Sequence, residues 1–193
     1  MDDKIVFQLP IFNEYARFIL ESFSYFCSDK DTIMKAFTHT CNYMLCTYEE
    51  LSEQDRQLID AAKRATQGSY APYSHFQVGA AALLDDGSVV TGSNQENAAY
   101  PSGMCAERTT LFHAGASHPD TPVVALAIAA YTEGEFTKKP IAPCGACRQV
   151  MLEVENRYHQ PIRTLLYGTE GIYLIEGGTR ELLPLTFDAS YLK

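Results

Sequence analysis

Residues 122–168 contain three consecutive patterns that decide the fold: "PVVALAIAA" at 122–130, "CGACRQVMLEVENRY" at 144–158 and "IRTLLYG" at 162–168. The first is a continuous apolar run of the kind that forms a strand buried on both faces. The second has helical spacing, and the third is again typical of a strand. A strand, a helix and a second strand in this order predict a parallel crossover, which is right-handed by the usual rule.

Elements on either side of this segment extend the prediction to a mixed sheet. The stretch "LSEQDRQLIDAAKRATQG" predicts a helix in which Ser52 and Asp55 have capping-box spacing and Gly68 ends the helix. Two strand-like runs flank Asp86-Gly87, which is a strong signal for a β-hairpin. A further helix is predicted in "CAERTTLFHAGA", and "GIYLIEGGTRELLPLTF" adds a short strand and a turn-rich tail. We therefore predict an α/β protein with a mixed β-sheet sandwiched by helices.

Composition and charge disfavour several classes of protein. Hydrophobic residues make up 46% of the 193 residues, which is enough to form a core. The net charge of -9 disfavours binding to nucleic acid, because the protein and the phosphates would repel each other. The apolar run near the amino terminus is interrupted by charged residues, which indicates neither a signal peptide nor a membrane span. We therefore expect a cytoplasmic protein whose six cysteines are thiols or ligands rather than disulfides.

Residues 1–48 differ in pattern from the rest of the chain. We predict an extension of unknown role at 1–48, followed by one domain at 49–193 that carries the chemistry. Within the extension, apolar residues at three- and four-residue steps indicate an amphipathic helix, and they are Phe12, Tyr15, Ile19, Phe23 and Phe26. Met34 offers an internal start. The three cysteines of the extension have no metal-binding spacing, so we interpret them as plain thiols.

Cys144 and Cys147 lie between a proline and a predicted helix, and the pair has three interpretations. It can be a redox pair, half of a structural zinc site, or two ligands of a catalytic metal. Cys105 supplies a third thiol, also at the start of a predicted helix, where the helix dipole favours thiolate. No histidine shares this spacing, and His113 lies about 12 Å further along the same helix. Three protein ligands with an open fourth position are typical of catalytic zinc.

Glu107 follows Cys105 by two residues, on the first turn of the same predicted helix. From there its carboxylate can carry protons to and from a water molecule at the metal without being a ligand. The alternative is an acidic residue that only favours the helix dipole, an effect worth about 0.3–1 kcal/mol. Cys-x-Glu together with Pro-Cys-x-x-Cys is the pattern described for zinc deaminases, and it favours Glu107 as the acid and base.

From about residue 51 to residue 187 the sequence resembles the small homotetrameric cytidine deaminases. The resemblance is carried, in order, by "YAPYSHFQVGAAAL", "GSNQENAAYPSGMCAERTTL", "PCGACRQ" and "ELLPLTF". It implies that Zn²⁺ is bound by Cys105, Cys144 and Cys147. It also implies that Glu107 carries the protons, and that Arg108 hydrogen-bonds the ligand sulfurs and moderates their charge.

The resemblance further implies which residues bind substrate. Asn94 and Glu96 match positions that contact the ribose hydroxyls. Phe76 matches an aromatic near the base, and Ala106 falls in the same substrate site. Two aromatics match residues that neighbouring subunits bring to the pocket, and these are Tyr100 and Phe187. The implied activity is hydrolytic deamination of cytidine and 2′-deoxycytidine to the uridines, with release of ammonia, by a homotetramer in pyrimidine salvage.

Three other functions compete with this interpretation. A deaminase of another amino-pyrimidine, such as a nucleoside antibiotic, is disfavoured by the pair of ribose contacts. A structural zinc module that binds partners is disfavoured because the fourth protein ligand is lacking. A polynucleotide editor is disfavoured by the net charge and by the lack of a basic stripe with interleaved aromatic residues. We therefore expect a small nucleoside as substrate, with neither a nucleic-acid partner nor a membrane partner.

Overall fold

The structure is a computed structural model that describes residues 35–192 of the chain. Seven strands in this range are β1 (Met44–Cys46), β2 (Gln77–Leu84), β3 (Val89–Ser93), β4 (Val123–Thr132), β5 (Glu135–Phe136), β6 (Arg163–Gly168) and β7 (Gly171–Ile175). The α-helices described are α1 (Glu53–Ala65), α2 (Ala106–Ser117) and α3 (Gly145–Tyr158). None of these helices is long and apolar enough to cross a membrane.

All seven strands belong to one sheet. Their order is β1-β7-β6-β4-β2-β3, and β5 pairs with the end of β4. β4 and β6 are parallel, with Ala125 opposite Arg163, whereas the other pairs are antiparallel. Since α3 lies between β4 and β6 in the chain, the parallel crossover predicted from residues 122–168 is confirmed. The mixed sheet also confirms the predicted α/β class.

Helices cover both faces of the sheet. Successive side chains of a strand point to opposite faces, and β2 contributes to two separate cores in this way. Ala81 and Leu83 belong to the core that α1 covers. Ala82, between them, belongs to the core on the other face, together with Leu111 of α2 and Met151 of α3. The architecture is therefore the predicted sandwich, with one helix on one face and two on the other.

Two predicted local signals form as expected. Ser52 precedes α1, and its hydroxyl oxygen accepts a hydrogen bond from the backbone N–H of Asp55 at 3.1 Å. The hairpin between β2 and β3 is closed by a 2.9 Å hydrogen bond from the N–H of Leu84 to the carbonyl of Ser88. Gly87 in this turn has a φ of +86°, a conformation that glycine adopts without the steric cost of a side chain.

The segment before α1 contributes a strand to the sheet. Residues 39–193 form one compact unit, and of the other unit, residues 1–38, the structure describes only 35–38. β1 lies within the predicted extension, yet it pairs with β7 and forms one edge of the sheet. The division at residue 48 stays a prediction. The predicted amphipathic helix between Phe12 and Phe26 and the internal start at Met34 lie outside the described residues.

Candidate active site

The three predicted zinc ligands come from the beginnings of two helices. Cys105 immediately precedes α2, Cys144 immediately precedes α3, and Cys147 lies in the first turn of α3. The Sγ atom of Cys144 is 3.8 Å from that of Cys105 and 3.4 Å from that of Cys147. All three sulfurs lie within 4.8 Å of one another. Between residues 35 and 192, no other group of three cysteine, histidine or carboxylate side chains is close enough to share a metal.

The start of α2 is held against the sheet by a close approach of helix and strand. A Cβ atom at Gly92 in β3 would lie only 2.7 Å from the backbone nitrogen of Thr110 in α2. Glycine at this position therefore lets the helix pack directly on the strand. Thr110 is fully buried, and its hydroxyl donates to the carbonyl of Ala106 at 2.8 Å. These contacts fix the first turn of α2, which follows Cys105 and carries Glu107.

The spacing of the thiols fits a tetrahedral zinc ion. With Zn–S bonds of about 2.3 Å, tetrahedral geometry places ligand sulfurs about 3.8 Å apart. The observed separations of 3.8 and 3.4 Å are close to that value. Thiolates are soft ligands, which favour zinc over magnesium or calcium. Three protein ligands leave one position to a ligand from outside the protein, as in catalytic rather than structural zinc sites.

The pKa values of the Cys105 and Cys147 thiols are shifted in opposite directions. Hydrogen bonding with Cys147, followed by hydrogen bonding with Arg108, lowers the pKa of the Cys105 thiol to about 5. The hydrogen bond with Cys105, together with burial, raises the pKa of the Cys147 thiol. Because the thiolate is the form that coordinates, metal binding must remove the proton of Cys147 against this raised pKa.

Glu107 is a buried carboxylic acid in the first turn of α2, with only 5% of its surface exposed. Burial raises the pKa of Glu107, and the negative charge of the nearby Cys105 acts in the same direction. A raised pKa brings the protonated and ionised forms of a carboxyl group closer in free energy, which favours proton transfer in both directions. The position and the environment of Glu107 therefore suit proton transfer next to the three thiols.

Arg108 contacts the thiol cluster from the same helix. Its Nη2 atom lies 3.5 Å from the Sγ atom of Cys105, at hydrogen-bonding distance for sulfur. The Nε atom of Arg108 is buried and has no hydrogen-bond partner among the residues that the structure describes. One part of the guanidinium group thus faces a ligand sulfur, and its positive charge lies next to the cluster.

A cavity of about 500 Å³ opens beside Cys105. It is lined by Tyr73, Ser74, Asn94, Gln95, Glu96, Asn97, Tyr100, Gly103, Met104, Cys105 and Arg108. Five of these are predicted site residues, and they are Asn94, Glu96, Tyr100, Cys105 and Arg108. The other six were not predicted from the sequence. Tyr73 and Ser74 lie inside the quoted motif "YAPYSHFQVGAAAL", so the motif itself was a signal that this loop belongs to the site.

Asn94 connects the cavity to the surrounding backbone. Its Nδ2 atom donates to the carbonyl of Phe76 at 2.9 Å. Its Oδ1 atom accepts from the backbone nitrogen of Val78 at 2.8 Å and from the hydroxyl of Ser69. A carboxamide oxygen has two lone pairs and a carboxamide nitrogen has two hydrogens. Asn94 therefore retains one N–H for a ligand, but no further acceptor position.

Glu96 presents a carboxylate to the same cavity. Its Oε2 atom accepts from the backbone nitrogens of Tyr73 at 2.9 Å and Ser74 at 3.3 Å. Hydrogen bonds from Ser74 and Tyr73 lower the pKa of Glu96, so that it is ionised at neutral pH. The Oε1 atom is left as an acceptor that can point to a ligand.

The remaining predicted substrate residues do not line this cavity in the single chain. Phe76 is half-buried at the start of the β2 region, and Ala106 is fully buried in α2. Phe187 is 57% exposed and stacks on Tyr191 with ring centroids 5.7 Å apart. Tyr100 reaches the cavity but is 78% exposed. The two predicted intersubunit aromatics therefore both present surface to the outside of the chain.

A glutamate beside a cluster of three thiols, on a sheet covered by helices on both faces, is how zinc deaminases arrange proton transfer next to their metal. The fold and the site together place the chain in that class. Similar proteins of known activity identify the family within this class.

The family model for the "Cytidine and deoxycytidylate deaminase zinc-binding region" matches residues 52–159. A cytidine deaminase of Sporosarcina psychrophila is 43% identical over 138 residues, which cover 70% of this chain and 94% of that protein. A cytidine deaminase of Halalkalibacterium halodurans is 55% identical over 101 residues, covering 52% of this chain and 72% of that protein. The crystal structure of cytidine deaminase from Burkholderia pseudomallei has 41% sequence identity and a TM-score of 0.59, covering 71% of this chain and 100% of that one.

The chain belongs to the cytidine and deoxycytidylate deaminase family. Its activity is cytidine deamination, and its cofactor is Zn²⁺. The predicted enzyme class and cofactor are therefore confirmed. The roles of the individual residues stay predictions.

Proposed function

We propose that the chain hydrolyses cytidine and 2′-deoxycytidine to uridine and 2′-deoxyuridine with release of ammonia, in a zinc-dependent reaction of pyrimidine salvage. The observation that carries this proposal is a buried carboxyl group, Glu107, that interacts with Cys105 and Cys147 of the three thiols with zinc-ligand spacing. A cavity of about 500 Å³ adjoins the cluster at Cys105 and is large enough for a nucleoside.

The metal is held by Cys105, Cys144 and Cys147. Zn²⁺ bound there supplies Lewis acidity and lowers the pKa of a water molecule toward 7. Three thiolates exceed the charge of the ion, and Arg108 offsets part of this excess through its contact with the Cys105 sulfur.

Glu107 moves the protons of the reaction. Its carboxylate accepts a proton from the attacking water and delivers it to N3 of the cytosine ring. After oxygen has bonded to C4, Glu107 takes the second proton from the hydroxyl group on C4 and transfers it to the departing amino group, so that the C4=O bond forms, the C4–N bond breaks and ammonia leaves. Its buried position suits this exchange, because a raised pKa brings the protonated and ionised forms closer in free energy.

Asn94 and Glu96 bind the sugar. The free N–H of Asn94 is a donor, and Oε1 of Glu96 is an acceptor. A hydroxyl group accepts one hydrogen bond and donates another, so the pair is complementary to one sugar hydroxyl. A hydroxyl that ribose and 2′-deoxyribose share would satisfy both residues, which supports turnover of both nucleosides.

The cavity favours a nucleoside over a nucleotide. Arg108 is the one cation among the eleven residues that line the cavity, and its guanidinium group already contacts Cys105. Glu96 contributes a negative charge that is ionised at neutral pH. A phosphate group would therefore enter without a free cation to pair with and would be repelled by the carboxylate.

A homotetramer would complete the site. Tyr100 and Phe187 present exposed aromatic surface that a neighbouring subunit can cover. Phe76 and Ala106 remain proposed substrate contacts. Light scattering with activity measured in each fraction tests this proposal, and a fully active monomer would contradict it. A cytoplasmic location and the division of the chain at residue 48 are retained as predictions from the sequence.

A panel of four substrates tests the substrate class. Purified protein with measured zinc content is incubated with cytidine, 2′-deoxycytidine, 2′-deoxycytidine monophosphate and free cytosine, and the deaminated products are quantified. We expect turnover of both nucleosides, with much lower kcat/KM for the nucleotide because of its charge and for the base because it lacks the sugar. Preferred turnover of the nucleotide or of the free base would refute the assigned contacts.

A further inference from the structure

Arg148, the residue after Cys147, connects the metal-binding turn to a distant part of the chain. Its Nε atom donates to the carbonyl of Pro143 at 2.7 Å, and its Nη1 atom donates to the carbonyl of Leu182 at 2.6 Å. Pro143 is buried and immediately precedes Cys144. The half-buried guanidinium group therefore joins the turn that presents two of the three thiols to a segment 34 residues further along the chain.

Gln149 fastens the same part of the chain to α3. Its Nε2 atom donates to the carbonyl of Phe187 at 2.8 Å. Between these two contacts, residues 183–187 form no helix or strand, and Leu185 is 91% exposed. We call residues 182–187 the C-terminal segment. Side chains of two successive residues of α3 thus hold the two ends of this segment, in which Leu182 is buried in the core.

We propose that Arg148 is a positioning residue that keeps the turn at Pro143 and Cys144 in its metal-binding conformation and couples this turn to the C-terminal segment. This role rests on the proposed zinc site. Without Arg148, the buried carbonyl of Pro143 would lose its charged hydrogen-bond donor, and the backbone in front of Cys144 would be free to shift. Because ligand geometry sets metal retention, such a shift weakens zinc binding.

The guanidinium group of an arginine can donate to both carbonyls at this position, whereas the ammonium group of a lysine cannot bridge them in the same way. The planar guanidinium group points separate N–H groups at two carbonyls in fixed directions. A lysine retains the charge but presents a single ammonium group on a flexible stem. Arg148→Lys therefore removes the bridge between the turn and the C-terminal segment while it preserves the local charge.

The test compares zinc release in Arg148→Lys and in a matched control. Arg157→Lys is the control, because Arg157 lies on the same helix and donates to a backbone carbonyl, that of Pro119 at 2.7 Å, away from the thiols. Transfer of zinc from each protein to a chelating dye is followed at neutral pH. We expect Arg148→Lys to release zinc about 10–100-fold faster than the parent protein, because changing groups that support metal ligands lowers metal affinity by this factor and the loss should appear as faster release. Arg157→Lys should release zinc at the parental rate.

Hydrogen exchange measures the coupling to the C-terminal segment. The backbone amides of Leu182 and Leu183 both donate to the carbonyl of Thr179, so they report on the attachment of this segment. Their exchange should accelerate in Arg148→Lys and, in the unaltered protein, when zinc is removed by a chelator. The second measurement applies even if Arg148→Lys does not fold. Gln149→Ala should loosen the segment near Phe187 without faster zinc release.

Three results would overturn the role of Arg148. They are parental zinc release by Arg148→Lys, zinc release by Gln149→Ala as fast as that by Arg148→Lys, and exchange at Leu182 and Leu183 that does not respond to zinc. A parent protein that binds no zinc would instead refute the proposed zinc site. The two failures are therefore distinguishable.

Discussion

Replacing Glu107 with glutamine separates proton transfer from metal binding. The two side chains have nearly the same shape, so Glu107→Gln should fit a position with only 5% exposure without opening a cavity. The amide resembles the protonated carboxyl group but cannot exchange a proton with water or with the cytosine ring. General acid–base catalysis contributes about 10²–10⁴-fold to rates, which corresponds to about 2.7–5.4 kcal/mol. We therefore expect kcat of Glu107→Gln to fall by at least about 10²–10⁴-fold, because Glu107 handles several proton transfers.

The assay combines three measurements on the same preparation. Single-turnover formation of uridine reports the chemical step, metal analysis reports zinc per chain, and calorimetry with uridine reports binding to the site. Glu107→Gln should retain zinc and bind uridine with nearly parental affinity. Glu153→Gln, at an exposed glutamate of α3, is the control and should behave as the parent. Near-parental turnover with zinc in place would refute the role of Glu107, and loss of zinc would show that the carboxylate supports the metal itself.

Three further predictions concern the metal, the sugar and the fold. Cys147→Ala should lose zinc and have a lower melting temperature, because two thiolates hold the ion poorly. Cys41→Ala, which changes an exposed cysteine, should retain zinc. Metal analysis that finds full zinc occupancy in Cys147→Ala would contradict this prediction. Glu96→Gln should raise KM about tenfold or more through loss of a charged hydrogen bond, with a smaller effect on kcat. Steady-state kinetics in which kcat falls by as large a factor as KM rises would argue against a sugar contact. Asp55 is 4% exposed and accepts hydrogen bonds from both Nη atoms of Arg163, at 2.9 and 2.6 Å, so Asp55→Asn should lower the free energy of unfolding by about 3 kcal/mol. An unchanged midpoint in urea would show that this ion pair does not stabilise the fold.

Most of the fold followed from local patterns in the sequence. The apolar run of β4, the helical spacing of α3 and the turn at Gly87 each reflect interactions between residues close in the chain, which periodicity and turn chemistry report directly. β1 was missed because it has three residues, none of them buried, so it carries no alternating pattern. β5 was missed because it has only two residues. Such short strands form by pairing with a neighbouring strand that is distant or already formed, and the local sequence does not specify this pairing.

The metal-binding residues of the site were easier to predict from the sequence than the contacts around the cavity. Cysteine spacing at helix starts led to the thiol cluster, since a metal site needs few residue types in a fixed pattern. The hydrogen bonds of Asn94 with the backbone of Phe76 and Val78 did not follow from the sequence, because they depend on which segments meet in space. The same holds for the contacts of Arg148 with Pro143 and Leu182.

Metal removal and restoration test the central claim most directly. The purified chain is stripped of metal with a chelator, and uridine formation from cytidine is measured before removal, after removal and after stepwise return of Zn²⁺. Because three cysteines supply one site, activity should disappear with the metal and return in proportion to zinc, reaching the original rate at about one ion per chain. Uridine formation that continues at the original rate in the metal-free protein would contradict the proposed zinc-dependent reaction.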